Sequence, residues 1–516
     1  MPLAALKPAN NPKLVLPVLF LFLLALLLRI LYLGTNFNSA DNCQLAAQIV
    51  GHHGYLWMLK ESFGVLINVI VKIFVAALSA CHITLTEFWW KLPIALIGSL
   101  QVPLTFLFLR KLHCSRSGAL AGSAFMAILP IHVMWSRFLW GYDALGVFFV
   151  TLAMGSLVHF FRTRTLPSGL LASFLMGFYL ISHGYIIPFL PCFFFALLFL
   201  SPPENQSWLT RFVLSAKAAL DGWLFLFPLL LTPLYAYPIY HTFWKKTRLG
   251  FYVLDHFPDF VGDVGWALFV LMAITLVSLI LRKRLRSDYA FFLALCGAAY
   301  LAPLFFGTPP GLTVVRDYML MGIYFWVLCI FVVFDRLIQR WRVLTLAILT
   351  LCFLVTLWGT VETIFFRDQG WDPSLVTLGR GGRIPDPGTK AAGYLIQKYA
   401  PSSSIVLALH RNIEPPNLYY YFRRTQISFF DITLQDSEKI FSKFRTTADI
   451  VICDSEQVPF LEKDSQFSLR IILSSENEPR LWIFSKYESS LPTLKADVSE
   501  FNKAFDREFS WKVSFW

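Results

Sequence analysis

The chain has 516 residues, of which 56% are hydrophobic, 17% aromatic and only 15% charged. A soluble protein of this size carries about 25% charged residues, so the composition excludes a soluble globular enzyme and points to a polytopic membrane protein. The net charge of +12, from 44 Lys and Arg against 32 Asp and Glu, suits anionic lipid and membrane topology. Nucleic acid is excluded as a partner, because the basic residues fall in short clusters between apolar runs.

Lys7 and Lys13 precede the first apolar run, residues 14–33, which is long enough to cross a bilayer. No small-residue cleavage site follows, so the run reads as a retained anchor. A polar stretch, TNFNSADNCQLAAQIVGHH, occupies residues 35–53. Ser39 can cap a short helix from Ala40, which places Asp41 in the first turn, where the helix dipole favours an ionised carboxylate. Gln44 and Gln48 share its face, and such a helix can lie along a membrane surface. Asp41 is the candidate general base; its other reading is a helix-capping acid.

Further apolar segments lie near residues 63–82, 88–109, 117–134, 142–161, 166–183, 185–200, 218–240, 263–281, 288–306, 318–334 and 343–361. The first of these carries Glu61, Asn68, Lys72 and Ser79 along one stripe, the pattern of a second interfacial helix. With that segment kept out of the membrane, sixteen basic residues fall on the cytoplasmic side (around Lys7, Arg110, Arg162, Arg211, Arg282 and Arg336) and eight on the other up to residue 317. The positive-inside rule then predicts eleven spans, two surface helices in the first outer loop and an outward C-terminus.

After Glu362 the composition becomes ordinary, which divides the chain into a transmembrane domain, 1–364, and an extracytoplasmic domain, 365–516. Helices are predicted at 389–399, 417–424 and 435–444, and strands at 404–409, 426–432, 448–453, 467–473 and 480–485. This alternation indicates a soluble α/β domain, with no Gly-rich loop for nucleotide phosphates. The eight cysteines have no paired spacing and read as small hydrophobes.

On the side of Asp41 the topology also places Lys60, Ser136 and Arg137, Asp143, the loop 241–263 with Lys245, Lys246 and Arg248, and Arg316. Lysines and arginines around an apolar groove suit an anionic, lipid-linked substrate. Each cation taken alone also reads as charge balance or snorkelling. Asp143 at a span edge calls for a partner, and Arg137 is the nearest in sequence. Histidines and carboxylates of the outer loops are compatible with a divalent metal, but without an HxxxH-type spacing no ligand set is assigned.

These residues, in this order, resemble the GT-C class of membrane glycosyltransferases, specifically bacterial relatives of protein O-mannosyltransferase and of the lipid A aminoarabinose transferase. The matching positions are Asp41 to Ala47 (DNCQLAA), Lys60, the inner turn Leu109-Arg110-Lys111, Ser136-Arg137, Tyr142-Asp143, and Arg316 with Tyr318. Two positions depart from the pattern: Asn42 replaces the family's Glu, and Glu61-Ser62 replaces Pro-Pro. The resemblance covers roughly residues 1–330. It implies an integral protein of the bacterial inner membrane that moves a sugar, with inversion, from a polyprenyl-phosphate donor to a hydroxyl of a protein, lipopolysaccharide or other glycan. Asp41 would be the base. Lys60 and Arg137, with Lys245, Lys246 or Arg248, would hold the phosphate, and Asp143 would orient an arginine or bind acceptor. Two alternatives remain open: a transporter or flippase of an anionic lipid-linked substrate, and a non-catalytic membrane scaffold. The near absence of charge inside the spans weighs against the first.

Overall fold

Backbone removed from water must satisfy its own N–H and C=O groups, so unbroken apolar runs fold as helices. The computed structural model describes residues 12–31, 33, 46, 65–83, 85–139, 141–182, 186–200, 207–234, 265–281, 288–307, 319–365, 392–393, 395–397, 400–410, 425–430, 434–453, 455–467, 469–475, 478–487 and 511–515. The chain divides into two compact units, Met1–Leu33 with His53–Gly382, and Gly34–His52 with Arg383–Trp516.

The first unit is helical. It contains α1 (Pro12–Ile30), α2 (Val65–Ala80), α3 (Glu87–Lys111), α4 (Arg116–Ile128), α5 (Pro130–Trp135), α6 (Tyr142–Thr163) and α7 (Leu166–Ser182). It continues with α8 (Ile186–Phe199), α9 (Trp208–Asp221), α10 (Leu226–Leu230), α11 (Trp266–Leu281), α12 (Asp288–Gly307), α13 (Met319–Arg340) and α14 (Arg342–Phe365). Among the described residues four helices are long and apolar enough to cross a membrane: Glu87–Lys111, Asp143–Thr163, Met319–Ile338 and Arg342–Val361. Shorter apolar helices accompany them. The α13 helix is buried along nearly its whole length, whereas α14 exposes Val343, Leu351, Leu354 and Trp358.

Two expected single helices are broken. The run 117–134 becomes α4 and α5, because Pro130 has no N–H to continue the ladder. The run 218–240 is interrupted after α9, where Leu224 N–H bonds to Ala219 O at 3.0 Å and Trp223 N–H to Leu220 O at 3.0 Å. That is a Schellman turn with Trp223 in the left-handed position at φ 56°. Gly222 is needed just before it for packing: a Cβ there would strike the Phe160 ring of α6. The polar stripe of α2 also differs from expectation. Asn68 is buried and Lys72 half-buried, while Ser79 of the same stripe is exposed; the helix packs on α3 and α7.

One end of the bundle gathers the basic turns. Asp335 of α13 accepts from the Ser115 backbone N–H at 2.8 Å and from the Ser115 hydroxyl, and so holds the start of α4. Arg162 of α6 donates to Lys111 O at 2.9 Å, to His113 Nε2 at 3.0 Å and to Tyr289 Oη at 2.8 Å. Burial, then Arg162 and Arg110, holds His113 below the usual imidazole range, which keeps Nε2 free to accept.

The second unit contains a six-stranded sheet in the order β2-β1-β3-β5-β4-β6, formed by β1 (Ile405–His410), β2 (Thr425–Phe430), β3 (Ile450–Cys453), β4 (Leu469–Ser475), β5 (Glu478–Ser485) and β6 (Trp511–Phe515). Strand β1 runs parallel to β2 and β3, and the remaining pairings are antiparallel. Alternate residues Leu407, Leu409, Val451, Cys453 and Phe484 join Phe441 of α15 (Leu434–Phe444), Leu461 and Phe467 in one core. Val406, Ala408, Ile450, Ile452 and Ile483 are buried as well, so both faces of the central strands are covered. Asp464 is held below the ordinary carboxylate range. Burial opposes this, but the hydrogen bond from Arg445 at 2.9 Å and that from the Gln466 amide outweigh it. The β6 strand was not expected. The helix expected at 417–424 lies outside the described residues.

Glycine packing yields a direct test. A Cβ on Gly169 of α7 would collide with the Gly222 carbonyl, a backbone atom that cannot swing aside, whereas at Gly155 the nearest atom would be Phe108 Cδ2 at 3.6 Å. Gly169→Ala should destabilise the protein by ~1–3 kcal/mol, and Gly155→Ala should be near neutral. Thermal unfolding of the two purified variants in detergent measures the difference.

Candidate active site

The polar centre of the helical unit lies where α1 ends beside the break between α4 and α5. Pro130 disfavours helical backbone at the residue before it, and Leu129 is extended, at φ −69° and ψ 114°. Carbonyls at the end of α4 therefore lose their usual amide partners and need other donors. Arg29 Nη1 of α1 donates to Ala127 O at 3.3 Å, and the Thr360 hydroxyl of α14 donates to Ile128 O.

Arg29 is fully buried, with further bonds from Nη1 to Ala25 O at 2.9 Å and from Nη2 to His132 Nδ1 at 2.6 Å. A guanidinium only donates, so Nδ1 is the acceptor and the His132 ring proton sits on Nε2. Arg29 Nε and His132 Nε2 are buried without a hydrogen-bond partner among the described residues. Ser136 Oγ donates to His132 O at 2.5 Å and occupies the space that a side chain on Gly98 of α3 would fill.

The reverse connection comes from Arg137, which is also buried. Its Nη1 donates to Leu28 O at 2.9 Å and to Arg29 O at 3.2 Å, carbonyls in the last turn of α1. A cation there also matches the negative end of the helix dipole. Burial holds the Arg137 guanidinium down to about 10, so it stays charged at neutral pH. Asp143 is fully buried in the first turn of α6, where free N–H groups favour a carboxylate.

Of the predicted site residues, then, the structure places Arg137 and Asp143 on either side of the turn between α5 and α6. Asp41, Lys60, Lys245, Lys246, Arg248 and Arg316 lie outside the described residues; of the stretch around Asp41, only Ala46 is described, as helical and buried. Arg29 and His132 escaped the sequence reading. The signal was available for Arg29, since an ionisable residue inside an apolar run is itself a sign of a special environment. Among the described residues no three His, Cys, Asp or Glu side chains cluster as a metal site, and the described cysteines are free.

No protein-family model matches the sequence, and no curated protein matches it. Solved structures do match. AglB, an archaeal oligosaccharyltransferase from Archaeoglobus fulgidus in complex with an inhibitory peptide and a dolichol-phosphate, aligns over 94% of this chain and 75% of its own, with TM-score 0.51 and 13% identity. ArnT from Cupriavidus metallidurans, bound to undecaprenyl phosphate, aligns over 93% of this chain and 99% of its own, with TM-score 0.53 and 13% identity. This chain has the GT-C fold. At 13% identity the likeness is one of fold, and it extends over nearly the whole chain, well beyond the roughly 330 residues that carry the sequence motifs.

Within this GT-C fold, the junction of α1, α3, α4 and α5 depends on Gly98. A Cβ there would collide with Ser136 Oγ and come within 3.2 Å of Arg29 Nε. Gly98→Ala should therefore lower the melting temperature, and Gly98→Ala with Ser136→Ala should recover part of the loss. Detergent-phase unfolding of the single and double variants checks this coupling.

Proposed function

We propose that this chain is a membrane glycosyltransferase that moves a sugar from a polyprenyl-phosphate donor to an acceptor hydroxyl on the extracytoplasmic side, with inversion. The observation that carries the reading is the GT-C fold, shared along the chain with two structures that hold a dolichol-phosphate or an undecaprenyl phosphate. The peptide bound to AglB favours a protein acceptor; lipopolysaccharide and other glycans fit the same chemistry. In this reading residues 1–364 form the transmembrane catalytic domain with eleven spans, and 365–516 an extracytoplasmic domain.

Asp41 is the proposed base. It takes the proton of the acceptor hydroxyl as that oxygen attacks the anomeric carbon. The bond from that carbon to the phosphate oxygen breaks, and its electron pair leaves with the lipid phosphate. No general acid is needed if cations neutralise the leaving group. Lys60, Lys245, Lys246, Arg248 and Arg316 are proposed for that task. Arg137 adds positive charge from the buried side, with Nη1 committed to the end of α1. Asp143 is proposed to orient an arginine or bind acceptor.

Asp41→Asn keeps shape and helix capping and removes the base. Transfer from a polyprenyl-phosphate sugar should fall by ~10²–10⁴, while the melting temperature stays at the parental value. Asn42→Asp in that background should not restore it, because one step along a helix turns the carboxylate by about 100°. Parental turnover by purified Asp41→Asn would remove the catalytic reading of this residue.

The eleven-span topology is tested separately. Reporter fusions after residues 113, 164, 210, 284 and 338 should report the cytoplasm, and those after 60, 250, 311 and 370 the opposite side. The distribution of sixteen basic residues against eight motivates this assignment. Reversal of the pattern after residue 85 would mean that segment 63–82 crosses.

A further inference from the structure

Arg162, at the end of α6, makes all its hydrogen bonds through one nitrogen. Its Nη2 serves Lys111 O, His113 Nε2 and Tyr289 Oη, and its Cζ lies 5.9 Å from the centre of the Tyr289 ring. Nη1 and Nε have no hydrogen-bond partner among the described residues. The turn after α3 and the start of α12 therefore hold this half-buried guanidinium in place and leave part of its donor set uncommitted. Other cations stand beside it. Lys111 Nζ donates to Gly155 O of α6 at 2.9 Å, which uses one of its three N–H groups. Arg110 Nη1 bonds to Cys114 O in the same turn. Besides burial, Arg162 and Arg110 both lower the proton affinity of His113, so their charges crowd around this turn. Among the described residues no carboxylate pairs with Arg110, Lys111 or Arg162. Asp335 belongs to this end of the bundle, but its two oxygens accept from Ser115.

The surface that runs from these cations toward the middle of the bundle is apolar. Leu107 lies one turn before Lys111 on α3 and is 61% exposed; Leu100, two turns further back on the same face, is 44% exposed. On α6, Gly155, His159 and Arg162 share a face at spacings of four and three. Gly155 keeps the seam between α3 and α6 shallow, since a Cβ there would touch only Phe108, at 3.6 Å.

We infer that this seam is a binding site for an anionic phospholipid, with the head-group phosphate on Arg162 and Lys111 and the acyl chains along Leu107 and Leu100. A phosphate diester brings the negative charge and the acceptor oxygens that the uncommitted N–H groups lack, and such charge-assisted bonds are the strong ones. The occupant is a lipid because exposed leucines continue directly from the cations, as the tails of a lipid continue from its head group. Any basic residue at this end attracts head groups in general. Arg162 differs in being held by two neighbouring segments, which makes a site out of a zone of charge. The inference does not depend on the transferase reading.

The test uses the full-length protein in a neutral maltoside detergent, titrated with phosphatidylglycerol, phosphatidylcholine or inorganic phosphate, with bound lipid counted by native mass spectrometry. The parent should hold one phosphatidylglycerol about tenfold more tightly than phosphatidylcholine. Inorganic phosphate at the same concentration should not displace it. Arg162→Gln should weaken this binding about tenfold. Arg116→Gln, which removes an exposed cation at the same end, should stay within about twofold of the parent. Equal weakening by the two variants would reduce the effect to net charge and overturn the site. Equal affinity for phosphatidylcholine would overturn it as well, and displacement by inorganic phosphate would make it a site for soluble anions.

Arg162 also ties segments together, so a second measurement needs no variant. Phosphatidylglycerol carrying a diazirine in its acyl chain should photolabel α3 around Leu100 and Leu107. Excess unlabelled phosphatidylglycerol should suppress that labelling, and excess phosphatidylcholine should not. Labelling spread equally over the lipid-exposed residues of α14, such as Val343, Leu351 and Leu354, or unaffected by either competitor, would overturn the proposal.

Discussion

A carbonyl buried away from water must find a donor, and at two described places in this bundle an arginine side chain supplies one. The first is the end of α1; the second is the break that Pro130 makes between α4 and α5. The two meet, and each supplies the arginine that the other lacks. Removing a guanidinium from water is costly unless its donors are filled. Here the acceptors include helix-terminal carbonyls, which carry partial negative charge of their own. The hydroxyl of Thr360 brings α14 to the same junction, and Gly98 allows the α3 backbone to pass close by. Five helices, α1, α3, α4, α5 and α14, therefore meet at one junction, held largely by backbone carbonyls that accept from side chains.

The other end of the bundle solves a different problem. The turn between α3 and α4, the end of α6, the start of α12 and the end of α13 are tied together by Arg162 and Asp335, which bond to exposed or partly buried groups. Several of the basic clusters counted for topology belong to these turns.

Much of the fold could be read directly from residues. Apolar runs of the right length gave most helices within a few positions, because a bilayer requires the backbone to bond within each segment. Alternating apolar residues gave β1 to β5 for a similar reason of periodicity. The interruption at Pro130 was not read from the run 117–134, because a proline does not always end a helix: Pro93 and Pro103 lie inside α3. The one after α9 was less visible: its left-handed residue is Trp223, and glycine is required at 222 only because Phe160 lies beside it.

The sequence by itself determined that the chain is a membrane protein and where most of its helices fall. These follow from composition, local periodicity and residue chemistry, which need no knowledge of distant partners. Only the tertiary structure decided what Arg29, His132 and Arg137 do. Arg29 looks like a residue at the edge of a span until Ala127 and His132, about a hundred positions later, prove to be its acceptors. The pairing of β6 with β4, and the burial of Asn68 on α2, were settled in the same way. Hydrogen bonds between remote segments leave no local pattern, because either partner alone is compatible with solvent, lipid or another strand.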